Sequence, residues 1–486
     1  MSKFKSGTSL DALLLTIVKL ITTVLGLLVI RIISEYFSYS DYGTYNQAII
    51  IASTVSTITI LGFVDATNYY FNKYTSQLSI QTQYLSTIIV FQILIGTLAF
   101  IVLISSRNIL ANTMDNKSLA AVVKWIALTP LLNNIIAIQQ IIYISLGKSK
   151  VIALRNLIIS IAKLITVLVS VYFTKSIITI LAAVLLFDIL QMIYFAFSLS
   201  RYGVVVSFKM FSLGKLKNVF SYSIPLTIFI ATNALMRDTD KYIISCFEDI
   251  ETFAIYSNAS RILPFTLVVD SFTTVLLPIV TKYLHDYKLE KLTDVYKNYL
   301  NFSFIIVWIL VTGAIICSTD FMTLLYGTKY IVGLPIFICY LLVSLVKFAN
   351  FSFIFSCAGR TKIILKISVI SLLLNVVLSV FLFYLMGPIG CAIATLVVSI
   401  IIVVYYLYET TAIISVSPFK LIELRSFFRL IAQSLLLCVL VLIGQKLLID
   451  IHHLIRLILT YGIYVAVLLF INRATIKRYL IALNNN

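Results

Sequence analysis

The sequence predicts an all-α polytopic membrane protein with about fourteen transmembrane helices. Of its 486 residues, 61% are hydrophobic and only 12% are charged, whereas soluble domains are about half apolar and about a quarter charged. The mean hydropathy is +1.05, and long apolar segments recur from one end of the chain to the other. The longest connections, 200–218, 281–298 and 409–426, are too short to form a separate soluble domain.

A helix that crosses the hydrocarbon core needs about 20 mostly apolar residues. The segments that meet this length are 10–34, 45–64, 83–105, 119–145, 151–173, 176–199, 219–246, 252–280, 299–318, 331–356, 363–386, 389–408, 427–449 and 453–472. The first segment is not expected to be a cleaved signal peptide, because its apolar stretch is too long and contains Lys19 and Arg31. Pro264 and Pro278 both fall in the eighth segment, which is therefore expected to bend.

The charges in the connections predict the topology. If the N-terminus is cytoplasmic, the cytoplasmic segments carry 20 of the 37 Lys and Arg residues, beginning with Lys3 and Lys5. The outer loops carry only four, which are Arg107, Lys117, Lys175 and Lys329. Cytoplasmic loops are enriched in Lys and Arg, so both termini are expected in the cytoplasm. Most of the net charge of +18 then faces an anionic lipid leaflet, and the charge requires no nucleic acid.

Several classes of chemistry are disfavoured. The six cysteines form no C-x-x-C pair, and the three histidines, His285, His452 and His453, lie in loops or at helix ends. No G-x-x-x-x-G-K-[ST] phosphate-binding loop occurs. We therefore expect no metal, no cofactor and no enzymatic activity. Any transport would use an ion gradient, the gradient of the cargo itself, or removal of the product.

An internal repeat predicts two lobes. Residues 31–34 (RIIS) and 45–48 (YNQA) match 242–245 (YIIS) and 256–259 (YSNA) at a shift of 211 residues. Residues 146–151 (LGKSKV) match 358–363 (AGRTKI) at a shift of 212. About six helices separate the copies, so both copies have the same orientation, as in parallel-repeat transporters. The predicted organisation is a six-helix lobe at 1–206, a second six-helix lobe at 207–418, and two additional helices with a cytoplasmic tail at 419–486.

Thirteen of the 37 cations lie inside the predicted spans. Charge at membrane depth is costly and marks paths for polar cargo, and here the charge is mostly positive, so an anionic cargo is expected. The candidate cargo-binding cations are Lys19, Arg31, Lys124, Lys163, Arg237, Lys241, Arg261 and Lys347. Lys19 is the strongest single candidate, since it has no acidic residue near it in the sequence. Lys124 and Lys347 could instead reach the interface.

Four intramembrane aspartates are candidates for ion coupling or for ion pairs: Asp188, Asp238, Asp240 and Asp270. Asp188 could pair with Lys163 on the preceding helix. In the seventh span, Arg237 with Asp240 and Asp238 with Lys241 are i,i+3 neighbours, so this cluster could neutralise itself. Asp270 lies half a turn away from Arg261 on a continuous helix and is the better candidate for proton or cation coupling. Amides such as Asn133, Gln139 and Gln140 could read sugars or join helices.

Short motifs in order along the chain resemble one known family. Residues 33–46 (ISEYFSYSDYGTYN) resemble the first-loop signature of bacterial polysaccharide exporters, and residues 221–226 (SYSIPL) with Asp240 resemble the opening of their second lobe. Tyr256 to Arg261, residues 359–362 (GRTK) and residues 387–395 (GPIGCAIAT) complete the pattern. The chain is thereby identified as similar to the Wzx-type flippases of O-antigen and related polysaccharides, within the MATE-like MOP superfamily.

This resemblance implies alternating access between two six-helix lobes in the bacterial cytoplasmic membrane. It implies that the cargo is an oligosaccharide repeat unit on undecaprenyl pyrophosphate, moved from the inner to the outer leaflet for O-antigen of lipopolysaccharide, for capsule or for a similar polymer. Coupling to a proton or cation gradient is one of the ways in which the movement could be driven. Membrane lipids, a polysaccharide polymerase and a chain-length regulator would be partners, and cavity cations would meet the pyrophosphate or acidic sugars.

Three alternatives remain open at this point. A multidrug or cation antiporter of the same superfamily would favour an acidic cavity, whereas these spans carry more cations than aspartates. A lipid II flippase would share the fourteen spans and the cationic cavity. A membrane polysaccharide polymerase would need a long outer loop, and the outer loops here are short.

Overall fold

The predicted fold class is confirmed. The computed structural model describes residues 6–414, 416–448 and 450–484, and within these ranges the regular secondary structure is entirely helical. Thirteen of these helices are long and apolar enough to cross a membrane, or fourteen if a bent pair counts as one span. Lys3 and Lys5, assigned above to the cytoplasmic side, lie outside the described residues. The chain divides into two compact units between Ala254 and Ile255. The lobe boundaries drawn from the sequence repeat stay a prediction.

The first unit is a bundle of long helices joined by short connections. Its helices are α1 (Ser6–Tyr36), α2 (Tyr39–Thr59), α3 (Phe63–Lys73), α4 (Leu78–Thr113), α5 (Leu119–Ile126), α6 (Thr129–Ser145), α7 (Ser149–Val169), α8 (Ile177–Arg201) and α9 (Leu213–Phe247), followed by the first part of α10 (Ile250–Ala259). A π-helical turn, Ser170–Thr174, extends α7, and a 3₁₀ turn, Phe208–Met210, precedes α9.

The second span is broken into α2 and α3, which the sequence did not predict. Ser38 caps α2 by accepting a hydrogen bond of 3.0 Å from the backbone N–H of Asp41. The helix ends where Leu61 and Gly62 adopt φ angles of 50° and 63°, and α3 then continues at an angle of 40°. A Cβ atom on Gly62 would lie 2.9 Å from the carbonyl oxygen of Ser223 in α9. Glycine therefore permits both the left-handed turn and the close approach of α9.

Buried polar side chains join the helices of the first unit. Asn116 donates to the hydroxyl of Thr44 over 2.9 Å and to the amide oxygen of Gln47 over 2.7 Å. The amide nitrogen of Gln47 in turn donates to the hydroxyl of Ser245 over 2.8 Å. This chain of bonds connects α2 to α9 and to the turn between α4 and α5. In a bilayer, interhelical hydrogen bonds of this kind contribute about 0.6 kcal/mol each.

The second unit contains the remaining helices. After the end of α10 these are α11 (Leu267–His285), α12 (Leu289–Ile316), α13 (Ser318–Tyr326), α14 (Leu334–Val346), α15 (Phe353–Cys357), α16 (Thr361–Met386), α17 (Pro388–Ile414), α18 (Pro418–Leu421), α19 (Leu424–Leu447), α20 (His453–Ile471) and α21 (Arg473–Asn484). A 3₁₀ segment, Thr328–Gly333, leads into α14.

The predicted eighth span, 252–280, is two helices rather than one bent helix. The first of them, α10, ends at Ala259, and α11 begins at Leu267. Pro264 lies in the break, where its missing N–H and its clash with the preceding residue oppose a continuous helix. Pro278 is accommodated inside α11. The predicted span 331–356 is too long, because α14 ends at Val346.

The two helices that follow the predicted second lobe, α19 and α20, pack against α12. The indole N–H of Trp308 in α12 donates to the hydroxyl of Ser434 in α19 over 2.9 Å. The hydroxyls of Thr312 and Tyr464 are also hydrogen-bonded, at 2.9 Å. At Gly313 a Cβ atom would lie 2.8 Å from the Tyr464 ring, so this glycine lets α20 approach α12.

Candidate functional site

A polar cavity of about 320 Å³ lies inside the first unit. Four helices, α1, α6, α7 and α8, line it. Its polar lining residues are Thr22, Asn133, Gln140, Arg155, Asn156, Ser160, Lys163, Asp188 and Gln191. All four helices belong to segments that are long and apolar enough to span a membrane. Ionisable groups at such positions are costly and mark functional paths, so this cavity is the candidate site.

Helix α7 supplies the largest share of the polar lining. Arg155, Asn156, Ile159, Ser160 and Lys163 lie one to two turns apart, and the helical repeat of 3.6 residues places them on one side. The other side of α7 carries exposed apolar residues such as Leu154, Ile158 and Ile165. The amphipathic pattern of the helix therefore turns two cations, Arg155 and Lys163, towards the cavity.

Hydrogen bonds hold Arg155 in place. Its Nε donates to the amide oxygen of Gln191 over 2.6 Å, and a terminal nitrogen donates to the amide oxygen of Asn156 over 2.7 Å. The guanidinium also lies 5.3 Å from the centre of the Phe195 ring, a distance at which a cation is attracted to the aromatic face. A fixed, planar guanidinium suits bidentate recognition of a phosphate or carboxylate.

Asp188 is the acidic member of the cavity. Its side chain is 4% exposed, and one carboxylate oxygen accepts a hydrogen bond of 2.8 Å from Gln191. Gln191 thus joins Asp188 to Arg155, and both Arg155 and Lys163 are near enough to act on Asp188 electrostatically. No ion pair within 4.0 Å joins Lys163 to Asp188 among the described residues. The two residues share one cavity without a direct salt bridge, and their pairing stays a prediction.

In the charged cluster on α9, one of the two expected ion pairs forms and the other is replaced. Asp238, with 6% of its side chain exposed, binds Lys241 at 2.8 Å and Arg237 at 3.0 Å. The Asp238–Lys241 pair is as expected, whereas the ion-pair partner of Arg237 is Asp238 rather than Asp240. A carboxylate oxygen of Asp240 accepts a bond of 2.8 Å from the backbone N–H of Lys241. Arg237 keeps 57% of its side chain exposed.

The other predicted site residues lie apart from the cavity lining. Lys19 on α1 is exposed, as is Lys124 on α5. Arg31 pairs with Glu35 one turn further along α1. In the second unit Arg261 lies in the break after α10, Asp270 lies in the first turn of α11, and Lys347 follows the last residue of α14. Of the twelve predicted residues, only Lys163 and Asp188 line the cavity.

Arg155 and Gln191 are cavity residues that the sequence reasoning missed, and so are Thr22, Asn156 and Ser160. Arg155 lies inside the predicted fifth span, eight residues before Lys163, which is a spacing that repeats on one helix face. That periodicity was the available signal. Gln191 stands three residues after Asp188 on α8, one turn away. Its role as the bridge to α7 could only be seen once the two helices were packed together.

A second buried charge cluster joins α13 to α20 in the second unit. Arg456 donates from its Nε to both carboxylate oxygens of Asp320, at 3.0 and 2.9 Å, and His453 Nδ1 lies 2.9 Å from the same carboxylate. Burial alone would raise the pKa of Asp320, but the hydrogen bonds from Arg456 and His453 outweigh it and hold this pKa below its usual value. The sequence separation of 136 residues hid this pair.

Comparisons with solved structures identify the fold. A lipid II flippase, MurJ, in an inward closed conformation matches with a TM-score of 0.75 and 20% identity, covering 96% of this chain and 100% of that chain. An inward-facing multidrug resistance MATE family transporter of the MOP superfamily matches with a TM-score of 0.67 and 14% identity, covering 83% and 99%. A MOP superfamily transporter from Pyrococcus furiosus, described as having a binding pocket of reverse polarity, matches with a TM-score of 0.61 and 13% identity, covering 83% and 94%. The chain is thus a multi-pass membrane protein with the fold of these transporters.

The sequence profile of a family described as polysaccharide biosynthesis protein matches residues 28–335. The match covers more than half of the chain, and the protein belongs to this family. Comparison with curated protein sequences gives no significant match. The resemblance drawn from the short motifs is therefore confirmed at the level of the family and of the superfamily fold.

Proposed function

We propose that this protein is a flippase for oligosaccharide repeat units linked to undecaprenyl pyrophosphate. The observation that carries the proposal is the polar cavity, in which Arg155 and Lys163 face one carboxylate, Asp188, inside membrane-spanning helices. Membership of a polysaccharide biosynthesis family supports a glycan as the cargo. An excess of positive charge supports an anionic group on that glycan, which the pyrophosphate linker or an acidic sugar would supply.

The cavity residues would act by binding and orienting, since flipping breaks no bond. Arg155 would hold a phosphate or carboxylate through its planar guanidinium, while Lys163 would add a second positive charge. The amides of Asn133, Gln140 and Asn156 would bond to sugar hydroxyls. The polyprenyl tail would remain in lipid. Two lobes at 1–206 and 207–418 would alternate between inward and outward access, with 419–486 as an appended pair of helices.

The remaining charged residues extend this proposal. Their exposed positions would let Lys19, Lys124 and Arg237 meet cargo along its path, and Arg31, Lys241, Arg261 and Lys347 are further cation candidates. We assign Asp188, Asp238, Asp240 and Asp270 as candidates for coupling to a proton or cation gradient. Asp188 is favoured because it is buried in the cavity beside both cations.

The proposed location is the bacterial cytoplasmic membrane, with both termini in the cytoplasm. Membrane lipids surround the protein, and a polysaccharide polymerase and a chain-length regulator are proposed partners because they would use the delivered units for O-antigen, capsule or a similar polymer. Reporter fusions at the two termini test the topology. The topology would be contradicted by activity of a terminally fused reporter that works only outside the cytoplasm.

Deletion of the gene in its host tests the function. Complete, single repeat units on undecaprenyl pyrophosphate should accumulate in the inner leaflet, and surface polymer should disappear. Extraction of the lipid-linked glycans, together with their accessibility to an impermeant periodate label, measures both. If the units reach the outer leaflet unpolymerised, the protein acts as a polymerase. If the lipid-linked glycans are unchanged and drug susceptibility rises, an antiporter is indicated.

A second candidate is a lipid II flippase. It is favoured by the structural match to MurJ, which extends over 96% of this chain at a TM-score of 0.75. Depletion of the host's own lipid II flippase with expression of this protein tests it. Growth would support the lipid II activity, whereas lysis despite normal expression would leave the repeat-unit flippase as the function.

A further inference from the structure

Helix α3 presents a polar and aromatic face whose side chains remain exposed. Five of its eleven residues are exposed, and they are Asp65, Asn68, Tyr69, Asn72 and Lys73. The spacings of three and four residues place them on one side of the helix, over a length of about 12 Å at 1.5 Å per residue. The opposite side, with Phe63, Ala66, Tyr70 and Phe71, is buried in the unit. The exposed face therefore combines one carboxylate, two amides, one aromatic ring and one ammonium.

Helix α9 adds a second aromatic ring, that of Tyr222, to this face. The ring of Tyr222 lies parallel to that of Tyr69, with the centroids 4.8 Å apart and an interplanar angle of 14°. Tyr69 remains 40% exposed and Tyr222 remains 37% exposed. The ammonium of Lys73 donates to the Tyr69 hydroxyl over 3.1 Å. Two coupled rings with accessible surface therefore stand next to a cation.

The amides of the same face are oriented before any ligand binds. Asn72 donates to the side-chain oxygen of Asn68 over 2.8 Å and to the hydroxyl of Ser145, at the end of α6, over 3.2 Å. The Ser145 hydroxyl in turn donates to the Asn68 oxygen over 3.3 Å. These bonds fix both amides on the surface of α3. Side chains that are already ordered lose little entropy on binding a ligand.

Stacked aromatic rings and a hydrogen bond to α9 hold the buried side of α3 in place. Tyr70 and Tyr84 stack with centroids 4.1 Å apart, and Tyr74 stacks on Tyr84 at 5.4 Å. The Tyr70 hydroxyl donates to the carbonyl of Asn218 in α9 over 3.0 Å. At its start α3 is held against α9 by the close approach at Gly62. The helix is thus anchored at both ends to α9, which carries Tyr222.

We propose that this face of α3, with Tyr222, is a carbohydrate-binding subsite for the sugar part of the cargo, and the proposal rests on the flippase function proposed above. A sugar ring has one face of C–H groups, which pack on the electron-rich face of an aromatic ring. Its hydroxyls both donate and accept, so they match the carboxylate and the two amides. Lys73 would bind an acidic substituent or the phosphate linker. The subsite lies at the predicted cytoplasmic end of the second span, where a repeat unit would arrive.

The arrangement differs from that of tyrosines that only anchor a protein in the interface. Interfacial anchors place aromatic rings at the level of the lipid headgroups. Here two exposed rings stack on each other, and the residues next to them on the helix are hydrogen-bonded amides and a carboxylate. A headgroup interaction does not require this pattern of acceptors and donors, whereas recognition of several hydroxyls does.

The test is a ligand-observed NMR titration of the full-length protein in nanodiscs. The two probes are the free repeat-unit oligosaccharide, released from the host's lipid-linked glycan by mild acid, and inorganic pyrophosphate. Tyr69→Ala removes the ring and Tyr69→Phe keeps it. Tyr172→Ala is the matched control, because Tyr172 is 81% exposed at the other end of the first unit. Tyr222→Ala is a second ring deletion, and thermal unfolding shows that each variant is folded.

The wild type should bind the oligosaccharide, and Tyr69→Ala and Tyr222→Ala should each weaken its binding about tenfold, a typical loss when a stacking ring is removed. Tyr69→Phe and Tyr172→Ala should stay within about twofold of the wild type, and pyrophosphate binding should be unchanged in all four variants. If folded Tyr69→Ala and Tyr222→Ala bind the sugar like the wild type, or if the wild type binds no sugar, the subsite is overturned. The flippase proposal fails separately, if deletion of the gene leaves the lipid-linked glycans unchanged.

Discussion

Replacement of Arg155 tests whether the polar cavity contacts the cargo. Arg155→Met keeps a long, flexible side chain and removes the guanidinium that bonds to Gln191 and Asn156. The cavity then retains one cation, Lys163, opposite Asp188, so its excess positive charge is lost. A hydrogen bond to a charged group contributes about 1.5–3 kcal/mol, which corresponds to a factor of about 10 to 150 in affinity.

The assay is the transfer of a lipid-linked repeat unit across proteoliposomes that contain the purified protein. We expect Arg155→Met to lower the initial rate at least tenfold at limiting substrate. Arg155→Lys should recover part of this loss, because it restores the charge but not the planar fork that binds two oxygens together. In cells, Arg155→Met should reproduce the accumulation of repeat units in the inner leaflet.

Lys117→Gln is the control, since Lys117 is an exposed cation outside the cavity lining. It removes the same charge from the whole protein and should leave the flipping rate unchanged. If Arg155→Met flips at the wild-type rate while its melting temperature lies within a few degrees of the wild type, the cavity does not contact the cargo and the reasoning is refuted.

Four further predictions follow from the structure. Asp188→Asn removes the carboxylate of the cavity lining, so an anionic cargo should bind about tenfold tighter and leave more slowly; an unchanged dissociation constant would exclude Asp188 from the binding site. Arg456→Met should lower the free energy of unfolding by about 3–5 kcal/mol, because it leaves the buried carboxylate of Asp320 without its main partner. The pKa of Asp320 is lowered in the folded protein. The contribution of Asp320 to stability is therefore fully present above its unfolded pKa of about 3.9 and is lost as the pH falls through its folded pKa. Melting temperatures measured from pH 7 to pH 3 should fall less steeply in Asp320→Asn than in the wild type. Gly313→Val forces a side chain into the Tyr464 ring and should cost about 1–3 kcal/mol, which thermal unfolding in detergent measures, with Gly214→Val as a surface control.

Much of the fold could be predicted because membrane insertion is decided by local composition. Fourteen apolar segments, each about as long as the hydrocarbon core is thick, predicted the helical architecture, and the helices of the structure agree with it. The breaks were harder to predict. Pro264 marked one of them, but the sequence indicated a bend where the structure has two helices. The break at Gly62 had no proline to mark it and depends on the close approach of α9.

Some features of the candidate site follow from local sequence, and others depend on how the helices pack. The sequence alone determined that cations lie at membrane depth, that Asp238 and Lys241 are neighbours on one helix, and that the chain resembles polysaccharide exporters, because residue type, helical spacing and motif order are local properties. Only the tertiary structure decided that Lys163 and Asp188 share a cavity with Arg155, and that Arg456 binds Asp320 from 136 residues away. Those contacts depend on which helices pack together and on how each is rotated about its axis, and hydrophobicity along one segment does not encode either property.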